Sequence, residues 1–277
     1  MTTRSSHPAR RAAAAAFAAA AAVAVAVSAF LAPAAAQQGP LTADQPSQGR
    51  QDPTTRVAVE RLKAMSDYLG AAKGLSVEID TMFDEPLPSG IAVKRITLYK
   101  IKLKRPDKLF FETVLDDGAS RLAWFDGRRL VVASPDEKSY LEIPFDGTVD
   151  ELISSAASAG LGLPVADFFR SDAFGSLAPT LISGADLGER QIGGGTARQI
   201  AFESFGSNWQ LWLSTGGKPL PERLVSVYVR RLGDPEFLAV FDDWSLEVPP
   251  DAAFEPTLGA DWKKIEPGPP PTQPQPQ

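Results

Sequence analysis

The sequence has no cysteine and one histidine, His7, which lies in an N-terminal stretch with the marks of a removable segment. The mature chain is therefore expected to carry neither thiol nor imidazole. That excludes zinc centres built on His or Cys, Ser-His-Asp and Cys-His catalysis, and disulfide-stapled scaffolds. Oxygen-ligated cations and mechanisms run by carboxylates alone remain open. Positive charge is also scarce: 28 Lys and Arg stand against 34 Asp and Glu, a net charge of −6 over 277 residues. Such a surface repels phosphate backbones, so nucleic acid is not an expected partner.

Residues 1–36 read as an export signal. Arg4, Arg10 and Arg11 form a positive leading region, an Ala/Val/Phe/Leu run follows over 12–32, and Ala34-Ala35-Ala36 before Gln37 meets the small-x-small cleavage rule. An uncleaved anchor is the alternative, since the run is about as long as a membrane span. The arginine pair would suit twin-arginine export, and the alanines after it suit Sec export. Cleavage leaves 241 residues with a net charge of −9, because the signal holds three arginines and no acid. No cysteine is available for lipid attachment, and no later run reaches the length of a membrane span. The expected product is a periplasmic monomer without a transmembrane segment.

Residues 37–53 are polar and rich in turn formers, a spacer that cannot order itself by burial. Residues 267–277 hold six prolines and read as an extended, solvated tail. One folded domain is expected over 54–266. It opens with a helix: Asp52 can cap it, Pro53 suits its first turn, and Ala58, Leu62, Met65 and Leu69 recur on one face. From Gly74 the apolar period becomes two, and strands are expected from there and at about 93–103, 107–115, 120–126, 128–134 and 138–143. Asp117-Gly118, Asp126-Gly127 and Ser134-Pro135-Asp136 supply short turns, which make these neighbours antiparallel. Thr148-Val149-Asp150-Glu151 is a capping box for a second helix, and Pro164 opens a short third one carrying Phe168 and Phe169. A further helical turn is expected from Asp172. Five more strands follow at about 181–189, 196–204, 208–214, 221–230 and 236–246. The fold class is α+β, with about eleven antiparallel strands and about three helices grouped on one side of a curled, half-open barrel.

Several strands are apolar on both faces: Trp209, Leu211 and Leu213 alternate against Trp212, and Phe241 neighbours Val240 and Trp244. A sheet wetted on one side needs only one such face. Either the sheet buries its own concave face as a packed core, or it encloses a cavity that the helices close like a lid. On the second reading the ligand-binding residues are Leu152, Ile153, Phe168, Phe169, Trp209, Trp212, Tyr228 and Phe241. Lys100, Lys102 and Lys104 form a cationic stripe at two-residue spacing. It either guards an edge strand or docks an acidic partner or lipid head group.

Other motifs carry no chemistry. Gly193-Gly194-Gly195 lacks the Lys-Ser or Lys-Thr of a phosphate loop, and Thr215-Gly216-Gly217-Lys218 reads as a hairpin joint. Asp116-Asp117 and Asp242-Asp243 are the first suspects for a carboxylate hydrolase, but turn chemistry accounts for them. No catalytic residue, metal or cofactor is assigned.

Residues 61–80 (RLKAMSDYLGAAKGLSVEID), 124–130 (WFDGRRL) leading into 134–138 (SPDEK), and 218–223 (KPLPER), in that order around the helical insert, resemble an uncharacterised family of predicted periplasmic proteins. That family is itself similar to the LolA/LolB lipoprotein carriers. The resemblance spans about residues 54–265 and implies an unclosed barrel whose helical lid covers an acyl-chain cavity. It implies a carrier or sensor of hydrophobic ligands or lipidated protein, not an enzyme. The carriers' lid-locking arginine has no assigned counterpart here. The competing expectation is an envelope interaction, sensor or assembly protein with a filled barrel and recognition on its surface.

Overall fold

The computed structural model describes residues 53–266 apart from 88, 160 and 161. The expected signal segment, the linker up to residue 52 and the proline-rich tail lie outside the described residues.

Helix α1 (Pro53–Ala71) buries Ala58, Leu62, Met65 and Leu69 completely, so the apolar face read from the sequence is the one it uses. Two runs of antiparallel strands follow. The first comprises β1 (Gly74–Pro86), β2 (Ala92–Lys104), β3 (Lys108–Leu115), β4 (Ser120–Phe125), β5 (Arg129–Ser134) and β6 (Ser139–Pro144). The second comprises β7 (Leu181–Ile192), β8 (Gly195–Ser204), β9 (Ser207–Ser214), β10 (Pro221–Val227) and β11 (Glu236–Ser245). Their turns use the left-handed region where the Asp-Gly pairs place it, with φ of 85° at Gly118 and 87° at Gly127.

The two runs are one sheet, because β1 pairs antiparallel with β11 through Ile79 opposite Phe241 and Phe83 opposite Phe237. The first and last long strands thus lie side by side at its centre. β7 forms one edge. At the other edge a strand absent from the sequence reading, β12 (Lys263–Lys264), runs parallel to β6. The sheet has twelve strands and is not closed on itself.

Between β6 and β7 the chain forms α2 (Val149–Ser158), a 3₁₀ turn at Ala166–Phe169, the short α3 (Ala173–Leu177) and another 3₁₀ turn at Ala178–Thr180. The expected capping box is present: the Glu151 N–H donates to the Thr148 hydroxyl at 3.2 Å and the Glu151 carboxylate accepts from the Thr148 N–H at 3.0 Å. Asp172 caps α3 by accepting from the Gly175 N–H at 2.7 Å. The third helix expected from Pro164 is a single 3₁₀ turn.

Polar contacts hold this insert in place. Arg170 donates to the Asp150 carbonyl at 3.1 Å and to the Ser154 hydroxyl at 2.9 Å, and its own carbonyl accepts from Arg105 at 3.0 Å. Burial of Arg105 lowers its pKa, opposed by Asp150. The Ser66 hydroxyl of α1 accepts from the Phe174 N–H at 2.8 Å. The insert is therefore tied to the sheet and to α1.

One expectation changes. The lysine stripe does not lie on an edge: β2 is an interior strand, paired along its length with β1 and, over Thr97–Lys104, with β3. Spacing within a strand reveals which face a residue takes but not which strands flank it. Residues 247–262 follow the last expected strand. Leu258 and Trp262 from this stretch pack on Trp124, Val131 and Ala133, covering the convex face of β4 and β5. A Lys138–Asp261 ion pair at 2.6 Å and a Lys264–Glu142 pair at 3.0 Å fasten this strap to the sheet. Strands β4 and β5 are thus covered outside by the strap and inside by the insert.

Candidate ligand cavity

Strand register stacks the concave side chains in rows. The innermost row runs Leu75, Leu103, Leu109, Phe125, Leu130 and Ile143 across β1 to β6. The next row is Val77, Ile101, Phe111, Ala123, Val132 and Leu141. Both are wholly apolar because residues two apart on a strand share a face and these strands carry aliphatic or aromatic residues at the matching positions. Leu152, Ile153 and Ala156 of α2, with Leu163 to Ala166 and Phe169, face these rows across a cavity of about 410 Å³. Ile265 reaches the cavity from just beyond β12.

The third row is different. It contains Tyr99, Thr113 and Arg121 in register, followed by Ser134 opposite Ser139, and all five line the cavity. Burial pushes the Tyr99 phenol up to about 12, although a hydrogen bond with Thr97 opposes the shift. It is therefore a protonated donor at any physiological pH. The Ser134 hydroxyl is buried and has no hydrogen-bond partner among the described residues. Arg121 donates to the Ser120 carbonyl at 2.6 Å and lies 3.5 Å from Asp136 and 3.6 Å from Glu137, so its charge is matched.

Beyond this belt lies the cavity's outer end. Arg95 pairs with Glu85 at 2.6 Å and with Asp116 at 3.6 Å. The Arg231 guanidinium sits 4.7 Å from the centroid of the Tyr228 ring. Asp117 accepts from the Ala119 N–H at 2.9 Å, the turn role expected for it. Asp242 and Asp243 are exposed on β11, Asp243 with φ of 52°.

The cavity brings together Leu152, Ile153, Phe169 and Tyr228 from the residues expected to bind ligand. Phe168 points elsewhere, as adjacent residues on a tight turn must. It packs on Phe241 with ring centroids 6.0 Å apart and, with Trp209 and Tyr228, lines a second pocket of about 250 Å³. Phe241 is buried between Phe168 and Trp244 in the packed core and lines neither space. Trp212 is a correction: it stands on the convex face, in register with Gln199 and Arg223, while Trp209, Leu211 and Leu213 point inward. The lysine stripe is convex too. Lys100 pairs with Glu78 at 2.8 Å, Lys104 with Asp251 at 2.7 Å, and the Lys102 ammonium lies 5.6 Å from the Phe110 centroid.

Sequence reading missed Tyr99, Thr113 and Ser134. Their signal was available in part, since Tyr99 and Thr113 share parity with Ile101 and Phe111 on strands already recognised. Their assembly into one row needed the strand order.

Fold and site together define an open antiparallel half-barrel with an apolar cavity under a helical insert. Residues 58–266 match the model of the family described as predicted periplasmic protein, DUF2092, and the chain belongs to that family. This periplasmic assignment agrees with the localisation expected from the sequence, and no described helix is long and apolar enough to cross a membrane. No curated protein matches the chain. Similar solved structures include LprF from Mycobacterium bovis, at 10% identity and a TM-score of 0.44 over 74% of this chain and 99% of that one. Others are the lipoprotein LppX from Mycobacterium tuberculosis, at 12% identity, TM-score 0.42, over 71% and 99%, and a LolA superfamily protein from Nitrosomonas europaea, at 10%, 0.35, over 73% and 98%. Scores this low carry no functional weight.

Proposed function

We propose that the protein is a periplasmic binding protein or carrier for a hydrophobic ligand, held between the concave sheet and the insert. The observation behind this reading is the cavity of about 410 Å³, to which the two inner rows contribute only apolar side chains, such as Ile101, Leu109, Phe111, Leu130 and Val132. Specific small-molecule pockets fall in this size range and are mostly apolar with a few placed polar groups. A methylene fills roughly the 30 Å³ that a water occupies in the liquid, so the space suits on the order of a dozen carbons. That is one acyl chain rather than several.

Purified protein is expected to release bound lipid on solvent extraction and to show it in native mass spectrometry. Ile153→Asp, which places a charge among the apolar rows, should abolish retention. Trp212→Asp, on the convex face, should leave it intact. Protein that is lipid-free as isolated and takes up no environment-sensitive fatty acid would remove the carrier reading, as would equal loss in the two variants.

A further inference from the structure

The belt of Tyr99, Thr113, Arg121, Ser134 and Ser139 gives the cavity a direction along its strands. Below it are two rows of carbon, and above it is a mixed outer end where Arg95, Asp116 and Arg231 stand among Phe83, Leu115 and Phe237. A purely hydrocarbon ligand long enough to cross this belt would strip solvent from its accessible hydroxyls and return no hydrogen bond to any of them, a penalty that grows with each buried group. A ligand with oxygen acceptors at that height would recover those bonds.

Two side chains make this more than a polar fringe. The Ser134 hydroxyl is buried, unpartnered and in the cavity wall, and its residue is only 7% exposed. Buried polar groups in folded proteins almost always find a partner, so a hydroxyl left over in a pocket wall is a donor kept for something else. The Tyr99 phenol, held protonated by burial, stands in the same row beside Thr113. The charge of Arg121 is matched by Asp136 and Glu137, so the belt offers hydrogen bonds more than net positive charge.

We infer that this belt is a head-group subsite, and that the ligand is a single-chain acyl amphiphile bound tail-down, its ester or acid carbonyl at the level of Tyr99, Thr113 and Ser134. This inference rests on the carrier reading and narrows it. It assigns the ligand class as acylglycerol-like or fatty-acid-like, in preference to headless hydrocarbons. Any larger polar group would extend towards the outer end, where Arg95 and Arg231 stand.

The test uses the full chain, stripped of lipid and titrated with two probes: monomyristoylglycerol, which has a chain and an ester head, and pyrene, which is apolar and headless. The wild-type protein should bind both. The combined Tyr99→Phe, Thr113→Val and Ser134→Ala variant keeps side-chain volume nearly constant, and Ser134→Ala alone provides a milder change; thermal melts verify that both are folded. Loss of the three hydroxyls should weaken monomyristoylglycerol about tenfold or more while changing pyrene by less than about twofold. Equal weakening of both probes, or an unchanged ester affinity, would overturn the head-group subsite and leave the carrier reading standing. Wild-type protein that binds neither probe would overturn the carrier reading itself, and the subsite with it.

Discussion

At Ser134 local stability and cavity chemistry pull in opposite directions. A buried hydroxyl without a partner carries a desolvation cost of about 1–3 kcal/mol, and the Ser134 Oγ is such an atom. Ser134→Ala is therefore expected to stabilise the lipid-free protein by about 1 kcal/mol, read as a raised melting temperature in calorimetry. A lowered melting temperature would mean that the hydroxyl is bonded after all. Few residues of this kind could be found from sequence. Alternation shows that Trp209 and Trp212 take opposite faces, yet gives no means of deciding which of the two faces inward, and both are expected in the cavity from the sequence. Large aromatic residues drew the reading because they dominate burial, whereas the belt is made of small or half-buried groups whose meaning lies in their alignment.

Single elements were the most legible part of the chain, since each answers to a local rule. The capping box at Thr148, the helix face of α1 and the Asp-Gly turns all depend on residues within a few positions of one another. The edge strand β7 was recognised as a strand but not as an edge, and it is secured by contacts of long sequence separation. The Thr55 hydroxyl of α1 donates to the Gly184 carbonyl at 2.6 Å and accepts from the Gly184 N–H at 3.2 Å. Only a residue without a Cβ suits position 184, because one would lie 2.7 Å from the Phe202 ring. Further along β7, Asp186 is paired with Arg198 of β8, and that hydrogen-bonded pair holds the Asp186 carboxyl below the usual carboxylate range. A carboxyl depressed on folding contributes stability above its unfolded pKa and loses it as pH falls through the folded one. Asp186→Asn should therefore destabilise the protein at pH 7 by about 1 kcal/mol, a small value because solvent screens the partly exposed Arg198. The gap between variant and wild type should narrow below about pH 4 in denaturant titrations. A gap that persists unchanged to pH 2 would show that the pair's charge is not what matters.

At the scale of the whole molecule, the features hidden from sequence are those set by distant pairing. Nothing local to β1 states that its neighbour is β11, and nothing in 247–262 announces a strap over Trp124. The expectation that Lys100, Lys102 and Lys104 guard an edge failed for the same reason. Because Ile79 pairs with Phe241, the centre of the sheet requires contacts across most of the folded chain, and such contacts are slow to form because the intervening loop entropy must be lost first. Trp124 belongs to the local β3–β6 run, and Trp244 lies on the central strand β11 with its indole N–H bonded to the Pro221 carbonyl at 2.8 Å. In stopped-flow refolding of single-tryptophan variants, native fluorescence at Trp124 should return before that at Trp244. The reverse order would show that the centre forms first.

The pairing of β1 with β11 also bears on how such a chain is delivered. A polypeptide threaded out in order presents β1 long before its partner exists, with one side of that strand left unpaired until some 160 residues more have followed it. The architecture thus defers its own completion until almost the entire domain has arrived, which for a chain exported unfolded means in the periplasm.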